Sequence, residues 1–169
     1  MRFNHRTLSI ALFTALSIGA TAAEARSDKS FMQEAAHAGA AEIEASKLAQ
    51  SKAKDAGVKS FADTMVTDHT KVADELKALA ATKNVKLPDG PSVGQKAKLK
   101  MIDAGDNDKF DERYVKSFGV KAHEDTIKLF EDAAKNAKDP EVKAWAEKTL
   151  PGLRHHLEMA EALSVAPKK

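Results

Sequence analysis

Glu42, His69, His123 and His156 are the side chains of this sequence whose types and spacing could do chemistry, and each interrupts an otherwise apolar stripe on a different predicted helix. A carboxylate or an imidazole is costly to bury unless it finds a partner. The partners within reach are one another, or a metal ion that they share. Three imidazoles and one carboxylate would serve a divalent transition metal, and four such residues at one depth of a helical bundle would make a single site.

The elements that must position them are read from periodicity. A first helix, about Ser30 to Asp55, carries Phe31, Ala35, Ala38, Glu42, Ala45 and Ala49 at alternating spacings of four and three, with Gly57 read as its stop. Glu44 is turned away by about 200°, so Glu42 is the inward acid. A second helix, about Val58 to Thr82, carries Val58, Phe61, Met65, His69, Val72, Leu76 and Leu79, with His69 where a Leu would stand. Met65 adds a soft thioether one turn before His69, although filling the core is its ordinary use. A third, about Asp108 to Lys135, has a broader face in which His123 lies near one side. The fourth begins at Asp139-Pro140 and carries Val142, Ala146, Thr149, Leu153, His156, Ala160 and Leu163, with Pro151 expected to kink it and His155 expected outside.

Height along the bundle agrees with this. Glu42 lies about 15 residues before a turn at Gly57 and His69 about 12 after it, a difference of about one helical turn. His123 and His156 stand about 15 and about 17 residues from the second turn, at Lys138 and Asp139. All four side chains then project into one layer. Between the two hairpins, Asn84 to Asp108 contains Pro88, Gly90, Pro91 and Gly94, so it holds at most a short helix from Gln95 to Ala104. Two short hairpins joined by one long connection predict an all-α fold, a ferritin-like four-helix bundle over residues 30–165 with a crossover between helices two and three. A plain up-down-up-down bundle is the alternative.

Residues 1–25 read as a secretory signal peptide: Arg2 and Arg6, an apolar run from Leu8 to Ile18, then small residues suited to cleavage after Ala22 or Ala25. No later stretch approaches the roughly 20 apolar residues of a membrane-spanning helix, so the exported chain is expected to be soluble in the periplasm. The absence of cysteine excludes thiolate ligands, thiol catalysis and an acylated anchor. The 27 basic residues include Arg2 and Arg6, and their loss on cleavage after Ala22 leaves a number equal to the 25 acidic ones. With no basic block and few aromatics, the sequence offers no nucleic-acid surface, and no segment names a protein partner. In the cell envelope zinc and copper come ahead of iron as the expected metal.

The stretches Glu42-Ile43-Glu44, Phe61 to His69, Phe110 to Tyr114 followed by His123, and Leu150 to Leu157 resemble the exported bacterial family named Domain of Unknown Function forty-one forty-two. The resemblance covers about Phe31 to Leu163 and implies a ferritin-like bundle and a periplasmic address, with no assigned activity. A di-iron centre does not follow from the fold. It needs Glu-x-x-His on two helices, and the residues three before His69, His123 and His156 are Val66, Val120 and Leu153. A single-metal site stays open, with Asp68, Glu124 and Asp125 as candidates to orient its imidazoles. Three roles follow: a periplasmic metal-binding bundle for buffering or envelope stress; a structural or interaction module with a metal-free polar layer; and a mononuclear metal oxidoreductase. No nucleophile elbow, phosphate loop or zinc-hydrolase signature supports other catalysis.

Overall fold

A computed structural model of the chain describes residues 26–165, and the expected leader, residues 1–25, lies outside the described residues. The fold is all-α. α1 (Asp28–Lys52) starts where the Ser27 hydroxyl accepts from the Ser30 amide at 3.1 Å. Asp55 then caps α2 (Ala56–Thr82), accepting from the amides of Gly57 and Val58 at 2.7 and 3.1 Å. Gly57 therefore lies in the first turn of the second helix and does not stop the first, because the carboxylate just upstream satisfies the free amides of a helix start. α2 closes in a Schellman turn: Asn84 takes a left-handed φ of 54° and the Val85 amide reaches back to the Ala80 carbonyl at 2.9 Å.

α3 (Val93–Ala104) begins at a capping box between Ser92 and Gln95. The third long rod is not one α-helix. A 3₁₀ turn at Asn107–Lys109 leads into α4 (Phe110–Tyr114), a π-helical segment follows at Val115–Lys121, and α5 (Ala122–Asn136) completes it. α6 (Pro140–Val165) runs through Pro151 as one helix, its first amides capped by Asp139 at 2.9 and 3.2 Å.

The apolar contacts give the helix directions. Ala45 and Ala49, late in α1, pack with Val58 and Phe61, early in α2, and with Phe110, Tyr114 and Ala160. Phe31 and Ala35, early in α1, pack with Leu76 and Ala80, late in α2, and with Phe130, Val142 and Trp145. α2 and the α4–α5 rod thus point the same way, and the connection must return along the whole bundle. It returns beside α1, where the carbonyls of Lys86 and Gly90 accept from Gln33 Nε2 at 2.9 Å and His37 Nδ1 at 2.6 Å, and Lys52 pairs with Asp103. α1 packs on α2 and α5, and α6 packs on the same two. This is the crossover connectivity of ferritin-like bundles, not the up-down-up-down one.

Each tight turn is tied to the other hairpin by a carboxylate. Asp111 accepts from the amides of Lys54 and Asp55, the latter at 2.8 Å, and Asp28 from those of Lys138 and Asp139 at 3.1 and 2.7 Å. These bonds fix the relative height of the two pairs of helices. Between the two apolar clusters lies a slice of buried polar side chains: Glu42, His69, His123, Thr126 and His156.

Candidate metal centre

The four titratable members of that slice come from four different rods, Glu42 from α1, His69 from α2, His123 from α5 and His156 from α6, and Thr126 lies one turn beyond His123. The imidazoles are 3%, 0% and 5% exposed in chain order, so all three are out of bulk water. Their ring centroids form a nearly equilateral triangle, 5.5 Å from His69 to His123, 5.3 Å from His69 to His156 and 5.6 Å from His123 to His156. One ring nitrogen from each lies within 4.8 Å of the others.

One nitrogen of His123 and one of His156 are hydrogen-bonded, and one of His69 lies beside a carboxyl group. His156 Nε2 donates to Asp68 Oδ2 at 2.9 Å, and His123 Nδ1 donates to the Phe118 carbonyl at 3.1 Å. His69 Nδ1 stands 3.0 Å from Glu42 Oε2, without the alignment of a hydrogen bond. The opposite nitrogens, His69 Nε2, His123 Nε2 and His156 Nδ1, have no protein partner. A neutral imidazole that gives its proton to one side presents a lone pair on the other, so the acceptors set which nitrogen is free to coordinate.

Burial disfavours the charged forms of Glu42, His69 and His123. Desolvation pushes the Glu42 carboxyl up to about 8, against the opposing hydrogen bond from Thr126. Desolvation, then the neighbouring imidazoles, hold His69 well below the usual imidazole range, and desolvation and His156 bring His123 down to about 4. For His69 and His123 this favours the neutral imidazole, the form that offers a lone pair to a metal.

The π-helical segment explains why His123 reaches the centre. From Phe110, the buried residues Tyr114 and Phe118 follow at spacings of four, and His123 at five. At about 100° per residue an α-helix would carry His123 about 220° away from Phe110, whereas the wider π turn keeps the run on one face. The same widening offers the Phe118 carbonyl to the ring, five residues on. Gly119 makes the segment compact enough to meet α6, since an added Cβ there would lie 2.9 Å from the Ala160 Cβ.

The structure brings His69, His123 and His156 together, and sets Glu42 beside His69 and 3.9 Å from His123 Nδ1, with Oε1 accepting from Thr126 Oγ1 at 3.5 Å. Of the residues expected to orient the imidazoles, Asp68 does so. Glu124 and Asp125 do not: Lys121, three and four residues before them, draws both carboxylates to the surface. Met65 is buried in the cluster below with Phe61 and Tyr114. His155 is exposed, as its spacing requires. Sequence reasoning missed the Phe118 carbonyl, which no residue type announces, and Thr126, which reads as one more member of an apolar face. Among the described residues no helix is long and apolar enough to cross a membrane.

A family model described as Domain of unknown function (DUF4142) matches residues 14–163. No curated protein and no solved structure matches the chain.

Proposed function

The chain belongs to the DUF4142 family, a domain of unknown function, and for it we propose the role of an exported bundle that holds one divalent transition-metal ion between His69, His123 and His156. The observation that carries this reading is the state of the three rings: each keeps one nitrogen buried and unpaired, while the other is hydrogen-bonded in His123 and His156 and lies beside the Glu42 carboxyl in His69. A layer kept only for helix register would leave those nitrogens desolvated, at about 1–3 kcal/mol each. An ion repays that cost. Metal–nitrogen bonds of about 2.0–2.1 Å in tetrahedral array need nitrogens about 3.3 Å apart, so a cluster already within 4.8 Å closes on the ion by a modest inward movement.

Glu42 takes the position of a carboxylate behind a ligating histidine, and Asp68 does the same for His156. Three imidazoles leave a fourth coordination position to water or to Glu42. All-nitrogen ligation in an oxidising compartment favours zinc or copper, with iron behind them. Buffering of that ion in the periplasm is the role we assign, and the leader reading of residues 1–25 supports the address.

The test is titration of untagged mature protein with Zn²⁺ and Cu²⁺. The expected result is uptake of about one ion per chain with a rise in melting temperature, both lost in His69→Ala. Unchanged melting with every divalent ion tried would overturn the reading. Fusion of residues 1–30 to a reporter active only outside the cytoplasm tests the address, and an inactive fusion would remove it.

A further inference from the structure

Among the described residues two large apolar side chains stand exposed, Val93 at 88% and Met101 at 72%, and both belong to α3. At about 100° per residue, Val93, Ala97, Met101 and Ala104 fall within an arc of about 80°, and all four are exposed. The opposite face of α3 is the one the bundle uses. Leu99 and Ile102 are buried there, in the same cluster as Ala45, Tyr114 and Val115. The helix thus has two apolar faces, and among the described residues only one of them is covered.

Charge says what could cover the other. Lys96 and Lys100 border the exposed stripe on one side and Lys98 on the other. All three are exposed, and none forms an ion pair with a described residue. Asp103, the one acid of α3, is taken by Lys52, and the acids that share a cleft with Lys98, Glu34 and Asp125, are taken by Arg26 and Lys121. The whole chain has 27 basic against 25 acidic residues, so the positive surplus on α3 is local. A raised apolar stripe between lysines suits a surface with an apolar interior and anionic head groups, because lysine can lay its methylenes along the apolar layer and keep its ammonium at the phosphates. A second copy fits badly, since about a two-fold axis the lysines of one stripe would meet those of the other.

We propose that α3 is a membrane-docking face, seating the bundle on a bilayer that contains anionic phospholipid, with Val93, Ala97 and Met101 in the head-group layer and Lys96, Lys98 and Lys100 at its phosphates. One short stripe and three lysines make a reversible attachment. The inference stands on α3 and does not need the ion.

Flotation of the untagged mature protein with lipid vesicles tests it. Each lysine near an anionic surface is worth roughly fivefold in partitioning, so vesicles of phosphatidylglycerol and phosphatidylcholine in equal parts should bind about a hundredfold more tightly than phosphatidylcholine alone. At about 1 M salt, where screening acts within about 3 Å, that preference should vanish. The triple variant Lys96→Gln, Lys98→Gln, Lys100→Gln should erase it at low salt, and Val93→Ser with Met101→Ser should weaken binding to the anionic vesicles about tenfold or more. All five side chains are exposed, so circular dichroism should show both variants folded. The chain has no cysteine, so Met101→Cys takes a single polarity-sensitive dye, whose emission should move to the blue on anionic vesicles, whereas the same dye on Ala144→Cys, an exposed position of α6, should not respond. Equal binding to the two kinds of vesicle, unchanged binding in either multiple variant, or a dye at position 101 that does not respond would each overturn the proposal. Concentration-dependent dimers in sedimentation, lost in Met101→Ser and unaccompanied by vesicle binding, would give the face to a second copy instead.

Discussion

Asp68→Asn separates a metal role from a structural one, because Asp68 can be altered from the surface. Its carboxylate accepts from His156 Nε2 at 2.9 Å, yet the side chain is 49% exposed, so no charge is stranded or cavity opened when it becomes an amide. Metal-free stability should change by no more than about 0.5 kcal/mol, the usual range for surface substitutions. The amide withdraws the negative charge that makes His156 a stronger donor. It can also turn its N–H₂ toward Nε2, which would leave the proton on Nδ1, the nitrogen that faces inward. Loss of such a supporting carboxylate typically weakens metal binding about 10–100-fold, or about 1.4–2.7 kcal/mol. Zinc affinity is measured by competition with a chromophoric chelator, and stability by urea unfolding with and without zinc. With zinc in large excess over its dissociation constant, the variant should lose about the same 1.4–2.7 kcal/mol of metal-dependent stabilisation. Equal zinc affinity in variant and parent, or equal destabilisation with and without zinc, would refute the reasoning.

Gly119→Ala places a methyl group 2.9 Å from the Ala160 Cβ, and neither backbone can yield cheaply; urea unfolding should show a loss of about 1–3 kcal/mol. Replacing Glu42, His69, His123 and His156 together by Leu should preserve helicity by circular dichroism and hold or raise metal-free stability, while zinc binding is lost. The pH dependence of the metal-free protein has two flanks. Glu42, raised from 4.5 to about 8, contributes stability that is complete below pH 4.5 and is lost as pH rises through 8. His123, lowered from 6.5 to about 4, contributes stability present above pH 6.5 and lost as pH falls through 4. Urea midpoints should therefore fall on both sides of mildly acid pH, and Glu42→Gln should flatten the alkaline flank alone; an unaltered alkaline flank would count against burial as its cause.

Periodicity made α1, α2 and α6 legible to within a few residues, because their apolar residues recur at three and four. The polar residues inside those stripes were legible for the same reason: a helix that buries Phe31, Ala35, Ala45 and Ala49 must also bury Glu42. The third rod was less so. Its spacing of four, four and five between Phe110 and His123 is a trace of the π turn, but an α-helical wheel turns that trace into an off-centre histidine. The course of the connection was hidden too, since the positions of Pro88 and Pro91 say where a helix cannot run and nothing about direction. That direction is set by long-range contacts such as Gln33 with Lys86. Glu124 and Asp125 looked suited to the imidazoles by proximity in sequence, and Lys121 on the same surface face competes for them at lower desolvation cost.

The three inward-facing imidazoles belong to α2, α5 and α6, whereas α1 reaches the slice only through a carboxylate beside one ring. An occupant of that triangle would staple three rods and leave the fourth to side-chain packing alone. Amide protection gained on loading would then concentrate around residues 69, 123 and 156, with the alanine-faced rod and the strap pinned to it by Gln33 and His37 exchanging nearly as before. The molecule would thus keep one wall that can breathe.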